Sequence, residues 1–198
     1  MNLANRVTLG RLLFAGVSCL FLLLVQERIV TGDIRHDLAW WALAFSIAAT
    51  ASDALDGYIA RRDNTVTAFG RVADPFVDKI IVCGSFVLLL GIEESAVFIK
   101  PWMVVLILFR EFLVTGIRGY MESVGIDFGA DMAGKIKMVV QSILVGFLIG
   151  VVAFREDPVW LAPATWALVW STVAITVYSG TRYVARAARA IGRGKDAI

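Results

Sequence analysis

Six long apolar runs, each closed off by a short polar or charged stretch, make up most of this chain. They are Val7–Val25, Leu38–Ala60, Val72–Ile92, Pro101–Met121, Met132–Phe154 and Val159–Tyr178. A helix rises 1.5 Å per residue, so about 20 apolar residues are needed to cross a bilayer core about 30 Å thick. The pattern therefore predicts an all-α integral membrane protein with six transmembrane helices. The first run follows a short polar start without a small-residue cleavage site, and is read as a retained helix, not a signal peptide. No repeat, low-complexity tract or second domain interrupts the pattern, so residues 1–198 are expected to form one membrane-embedded domain.

Composition agrees with this reading. Of 198 residues, 59% are apolar and 18% charged, with mean hydropathy +0.76; soluble domains average about 45–50% apolar. A soluble enzyme is excluded, and a net charge of only +2 gives no reason to expect a nucleic-acid partner. The distribution of the basic residues says more. Arg6, Arg11, Arg61, Arg62, Arg71, Arg118, Lys135, Lys137 and the tail from Arg182 to Lys195 fall on one side of the six-span parse. Only Arg28, Arg35, Lys100 and Arg155 fall on the other. Cytoplasmic loops carry the excess of Lys and Arg, so both termini are expected in the cytoplasm. Trp40, Trp41, Trp102 and Trp160 mark the opposite interface. The basic tail is expected to extend the last helix into the anionic headgroup layer, with membrane lipids as its partners. Cys19 and Cys83 lie in separate runs without metal-site spacing and read as buried thiols. His36, the single histidine, falls on the non-cytoplasmic side, away from the acidic cluster described next.

The chemistry is concentrated at the cytoplasmic end of the second run. From Asp53 to Asp78 the chain reads DALDGYIARRDNTVTAFGRVADPFVD. Asp53, Asp56, Gly57 and Ala60 share a helix face by their spacing, and Asp74 and Asp78 lie four apart, again on one face. Antiparallel packing of the two segments would bring four carboxylates into one small volume. Intramembrane acids cost at least about 2.5–3.5 kcal/mol each, so a decorative role is improbable. Asp74 before Pro75 also suits a helix N-cap with proline at the first helical position, but capping accounts for that residue alone. Without His or Cys nearby, all-oxygen ligation suits Mg2+ or Mn2+. Four acids exceed what one Mg2+ normally takes from a protein, which points to two ions about 3.5–4 Å apart, the arrangement used in phosphoryl transfer. Gly57 leaves room beside such ions for a phosphate, and Arg61, one turn on, can clamp it bidentately. Soluble phosphohydrolases use the same parts. Placement beside lipid selects a substrate with its phosphate in water and its tail in the bilayer. Acids within spans also mark ion pathways, so a divalent-cation transporter is the rival reading; it leaves Arg61 and Gly57 unexplained.

At these residues the chain resembles the CDP-alcohol phosphotransferase family, whose signature D-x2-D-G-x2-A-R-x8-G-x3-D-x3-D is matched by Asp53, Asp56, Gly57, Ala60, Arg61, Gly70, Asp74 and Asp78. Further likeness runs through Asn2–Arg11, Arg110–Glu122 and Gly134–Gln141. These stretches are most similar to bacterial members that use glycerol 3-phosphate. The resemblance implies transfer of the phosphatidyl group from CDP-diacylglycerol to sn-glycerol 3-phosphate, giving phosphatidylglycerol phosphate and CMP, in a six-helix, commonly dimeric fold. It implies that Asp53, Asp56 and Asp74 bind the metals. Asp78 would complete the second metal site and act as general base. Gly57, Arg61, Thr67, Asn5 and Thr8 would contact the CDP-lipid. For the acceptor phosphate the expected cations are Arg110, Arg118 and Lys135, with Glu111 or another acid pairing Arg110. Lys137 and Lys79 are expected to extend to the headgroups. A sibling reaction using phosphatidylglycerol or inositol phosphate as acceptor is the alternative.

Overall fold

A computed structural model describes residues 3–27, 33–63, 79, 82–126, 128–129, 132–154 and 158–195, with side chains described outside 3–9, 11, 53–63 and 191–195. Every regular element among the described residues is helical: α1 (Leu3–Gln26), α2 (Asp33–Asp63), α3 (residues 82–90), α4 (Glu93–Ala96), α5 (Pro101–Ser123), α6 (Met132–Ala153) and α7 (Leu161–Lys195). Helices α6 (Met132–Ala153) and Leu161–Ala190 of α7 are long and apolar enough to cross a bilayer, and Leu12–Gln26 is a shorter apolar helix. The helices follow the apolar runs closely. The third run is helical over 82–90, and its earlier part lies outside the described residues. The four-residue α4 was not expected.

Local signals set the helix ends. Lys100 is extended (φ −119°, ψ 153°) and Pro101 takes the first helical position of α5, where its missing N–H costs nothing. The other end of α5 is a Schellman motif. Gly125 adopts φ +76°, the Gly125 N–H reaches the Glu122 carbonyl (3.1 Å) and the Ile126 N–H reaches the Met121 carbonyl (2.9 Å). Beyond α3, the Ser95 hydroxyl donates to the carbonyls of Leu89 and, at 3.0 Å, Ile92. These bonds hold α4 against the end of α3.

The helices pack as a chain of neighbours: α1 on α2, α2 on α6, α6 on α7 and α7 on α5. The Ser18 hydroxyl donates to the Ala42 carbonyl at 2.8 Å, and Phe14 and Phe21 flank Phe45 with ring centroids 6.0 and 5.8 Å away. The main core joins Leu22 and Val25 of α1, Ala39 and Ala42 of α2, Phe86 and Leu89 of α3, Met103 and Ile107 of α5, and Leu144 and Leu148 of α6. A second cluster of Val114, Met121, Phe128, Tyr183 and Ala187 holds the α5–α6 connection against α7. There the Tyr183 hydroxyl donates to the Phe128 carbonyl (3.2 Å), and Arg186 donates to the Gly129 carbonyl (2.6 Å) while lying 4.2 Å from the Phe128 ring centroid. Trp102, Val105, Phe109 and Phe112 form an outward apolar stripe on α5, each more than half exposed.

At the opposite end, Arg35 grips Glu94 with two bonds of 2.5 and 2.8 Å, tying the start of α2 to α4. The hydrogen bond from Arg35 holds the Glu94 carboxyl below its ordinary range, against partial burial, and the same bond raises Arg35. His36 Nδ1 faces the Val152 carbonyl at 3.1 Å, a packing contact between α2 and α6.

Candidate active site

Helix α2 is continuous through Asp63, so Asp53, Asp56, Gly57 and Ala60 share a face as their spacing predicts. The side chains of Asp53, Asp56, Gly57 and Arg61, and those of Asn5 and Thr8 on α1, lie outside the described residues. Thr67, Asp74 and Asp78 lie outside them altogether. Among the described residues, no group of three or more His, Cys, Asp or Glu gathers closely enough to hold a metal.

Helix register carries the description further. α1 and α2 are antiparallel, with Phe14 against Phe45 and Ser18 bonded to Ala42. Continuing that register sets Thr8 and Asn5 level with Ser52 and Leu55, beside the positions of Asp53 and Asp56. α2 and α6 are also antiparallel. Trp40 meets Phe154 at 4.9 Å between ring centroids, and Leu43 lies beside Gly146. Continued toward the start of α6, these contacts bring Asp53 level with the stretch from Ile136 to Gln141, which includes Lys137.

At that level the structure builds a buried cationic cluster. Arg110 is 7% exposed and Lys137 only 4%. The Lys137 ammonium pairs with a Glu111 carboxylate oxygen, which also accepts from Arg110 at 3.4 Å. Among the described side chains, two cations around one carboxylate leave a net charge of +1 in a low-dielectric setting. An uncompensated buried charge costs several kcal/mol, so such a site favours an incoming anion. It also has donors to offer: Arg110 Nε, Arg118 Nε and Gln141 Nε2 are buried with no hydrogen-bonding partner among the described residues. Helix α7 makes room for it, because a Cβ on Gly180 would come within 3.2 Å of Arg110 Cγ.

Of the cations expected at the acceptor phosphate, Arg110 is buried in this cluster, Arg118 is partly buried and Lys135 is exposed. Glu111 pairs with Arg110 as expected. Lys137, expected to reach the headgroups, instead folds inward onto Glu111. The physical reason is visible in α6. Ala133, Lys137, Gln141, Leu144 and Leu148 are all buried and recur at intervals of four, four, three and four, the inner face of a helix. Lys135 falls on the outer face. That periodicity was present in the sequence and would have identified both Lys137 and Gln141.

The model of the CDP-alcohol phosphatidyltransferase family matches residues 1–178. The chain is 34% identical over 191 residues to the CDP-diacylglycerol–glycerol-3-phosphate 3-phosphatidyltransferase of Bacillus subtilis (strain 168), covering 93% of this chain and 94% of that protein. The enzyme of the same name from Rickettsia bellii (strain RML369-C) is 32% identical over 184 residues, covering 92% and 93%. That from Cereibacter sphaeroides is 27% identical over 223 residues, covering 94% and 95%. With the family pattern spanning nine-tenths of an all-helical chain, this protein belongs to the CDP-alcohol phosphatidyltransferase family.

Proposed function

We propose that this protein transfers the phosphatidyl group of CDP-diacylglycerol to sn-glycerol 3-phosphate, producing phosphatidylglycerol phosphate and CMP during phospholipid synthesis. The observation that carries this reading is the buried Arg110–Glu111–Lys137 cluster, level with the signature end of α2 and, among its described side chains, carrying one surplus positive charge. A phosphate monoester acceptor, glycerol 3-phosphate or inositol phosphate alike, supplies the missing counter-charge; the singly charged phosphodiester of phosphatidylglycerol offers less and a neutral alcohol none. The names of the relatives support glycerol 3-phosphate.

In this reading residues 1–198 form a single membrane-embedded unit of six spans. Both termini and the site face the cytoplasm, and the unit pairs as a homodimer. The basic residues on one side of the parse and the outward apolar stripe of α5 support it. The donor set suits Mg2+ or Mn2+: Asp53 and Asp56 offer hard oxygens one turn apart on a continuous helix, and Asp74 and Asp78 would complete a site for two ions. Such ions offset charge on the pyrophosphate and on the departing CMP.

The remaining work falls to the chain itself. Gly57, Arg61 and Thr67, with Asn5 and Thr8 from the facing helix, hold the CDP moiety so that its phosphatidyl phosphorus is open to attack. Arg110 and Arg118, with Lys135 at the entrance and Lys137 within, hold the acceptor phosphate and orient its free hydroxyl. Asp78 accepts the proton of that hydroxyl as the new P–O bond forms and the bond to CMP breaks. A carboxylate with an ordinary pKa near 4 is a weak base, so it depends on the acceptor being held in line. The test is an acceptor panel. Purified protein with CDP-diacylglycerol and Mg2+ should release CMP with glycerol 3-phosphate. Faster release with inositol phosphate or phosphatidylglycerol would assign a sibling reaction, and metal flux into liposomes without nucleotide lipid would indicate a transporter.

A further inference from the structure

A groove of about 620 Å³ runs between α2 and α6, and we infer that it holds one acyl chain of the nucleotide-lipid donor and sets how long that chain can be. The inference rests on the transferase reading above and extends it to the donor's tail.

Three observations carry it. The first is chemical: apart from Ser46, Thr50 and Ser142 the lining is apolar, and the Thr50 hydroxyl is occupied by its bond to the Ser46 carbonyl at 3.0 Å. The lining accepts hydrocarbon and offers almost nothing to a polar ligand. The second is a hollow inside the packing. Gly150 is buried, yet among the described residues a Cβ built there meets nothing within 4 Å, and one on Gly146 meets only Leu43 at an ordinary 3.8 Å. Interiors are normally close-packed, so this space is shaped for an atom chain that the protein itself does not supply.

The third is placement. Along α2 the groove extends from Thr50 to Trp40, about 15 Å at 1.5 Å per residue. Its inner end adjoins the candidate site, because Asp53 follows Thr50 by three residues on the same helix stripe. Its far end is walled by aromatics, with Trp40 edge-on to Phe154 at 4.9 Å and Phe147 edge-on to Trp160 at 6.1 Å. A single extended chain suits the volume, and the aromatic wall limits its length.

The test compares dipalmitoyl- and dioctanoyl-CDP-diacylglycerol in CMP release by the full chain in mixed micelles. Gly150→Val fills the far part of the groove, which the short chains do not reach. It is expected to raise the dipalmitoyl-to-dioctanoyl KM ratio about tenfold, the low end of what one pocket-sized change is worth because lipid tails compete for the same space. Gly146→Ala, a milder change, should move the ratio in the same direction. An unaltered ratio in both variants overturns the inference. A second readout does not depend on turnover. CDP-diacylglycerol carrying a diazirine at the acyl terminus should label peptides around Trp40 and Phe154, and Gly150→Val should move the label away. Competition by unlabelled CDP-diacylglycerol but not phosphatidylcholine supports the assignment. Equal competition by phosphatidylcholine means bulk lipid fills the groove, and cross-links to a second copy mean a subunit does; either result overturns it. Labelling as expected from a protein that releases no CMP would uphold the groove while sinking the transferase reading.

Discussion

Replacing Glu111 with glutamine preserves shape and removes one negative charge between two buried cations. In the parent, Lys137 and Arg110 share that carboxylate, and both cations are more than nine-tenths buried. Breaking a buried ion pair by removing one partner typically costs about 3–5 kcal/mol, chiefly because a charge is left uncompensated. The site stays narrowly open, with Glu111 itself 14% exposed, so the lower figure applies. On the scale of soluble domains of similar length, about 3 kcal/mol corresponds to a fall of roughly 6–12 °C in Tm. If the cluster is the acceptor-phosphate site, a second effect follows with the opposite sign. A bound phosphate replaces the lost counter-charge and no longer faces a neighbouring carboxylate. Ligand binding stabilises by RT ln(1 + [L]/Kd), so saturating glycerol 3-phosphate should raise the Tm of Glu111→Gln by more than it raises the parent's. Thermal unfolding in detergent, with and without glycerol 3-phosphate and with glycerol as the uncharged control, reads both effects. A variant as stable as the parent would refute the claim that Glu111 neutralises the cluster. A destabilised variant showing no extra gain from glycerol 3-phosphate would remove the acceptor from it.

Asp78→Asn should lower kcat for CMP release by at least about a hundredfold, the usual scale of a positioned general base. EDTA should abolish the parent's activity, with Mg2+ or Mn2+ restoring it; turnover by a metal-stripped enzyme would contradict the all-oxygen metal site. Gly180→Ala puts a methyl 3.2 Å from Arg110 Cγ, so it should raise the acceptor KM several-fold more than the donor KM in the same assay. Glu94→Gln should cost about 0.2–1 kcal/mol at neutral pH, the range of exposed pairs. Because pairing lowers Glu94, that contribution is complete above the unfolded value near 4.3 and fades as pH falls through the lower folded value. Parent and variant unfolding curves should therefore converge in acid, and a constant gap would disprove the pairing.

The hydrophobic rhythm of the chain determined most of what could be known without coordinates. A bilayer demands that each span satisfy its own backbone, so run length alone announces a helix; α5 begins at Pro101, where the fourth run begins, and α6 at Met132, where the fifth begins. The signature from Asp53 to Asp78 announced the family, whose pattern spans residues 1–178. The neighbours of the charges across space were not legible in this way. Lys135 and Lys137 are alike in type and two residues apart, yet one is exposed and the other buried on Glu111. Helix phase separates them, and their partner stands 26 positions away on α5. The groove is a purely tertiary property. Gly146 and Gly150 read as small residues in an apolar run until α2 packs beside them with Leu43 and Trp40, because an unfilled space belongs to two helices at once.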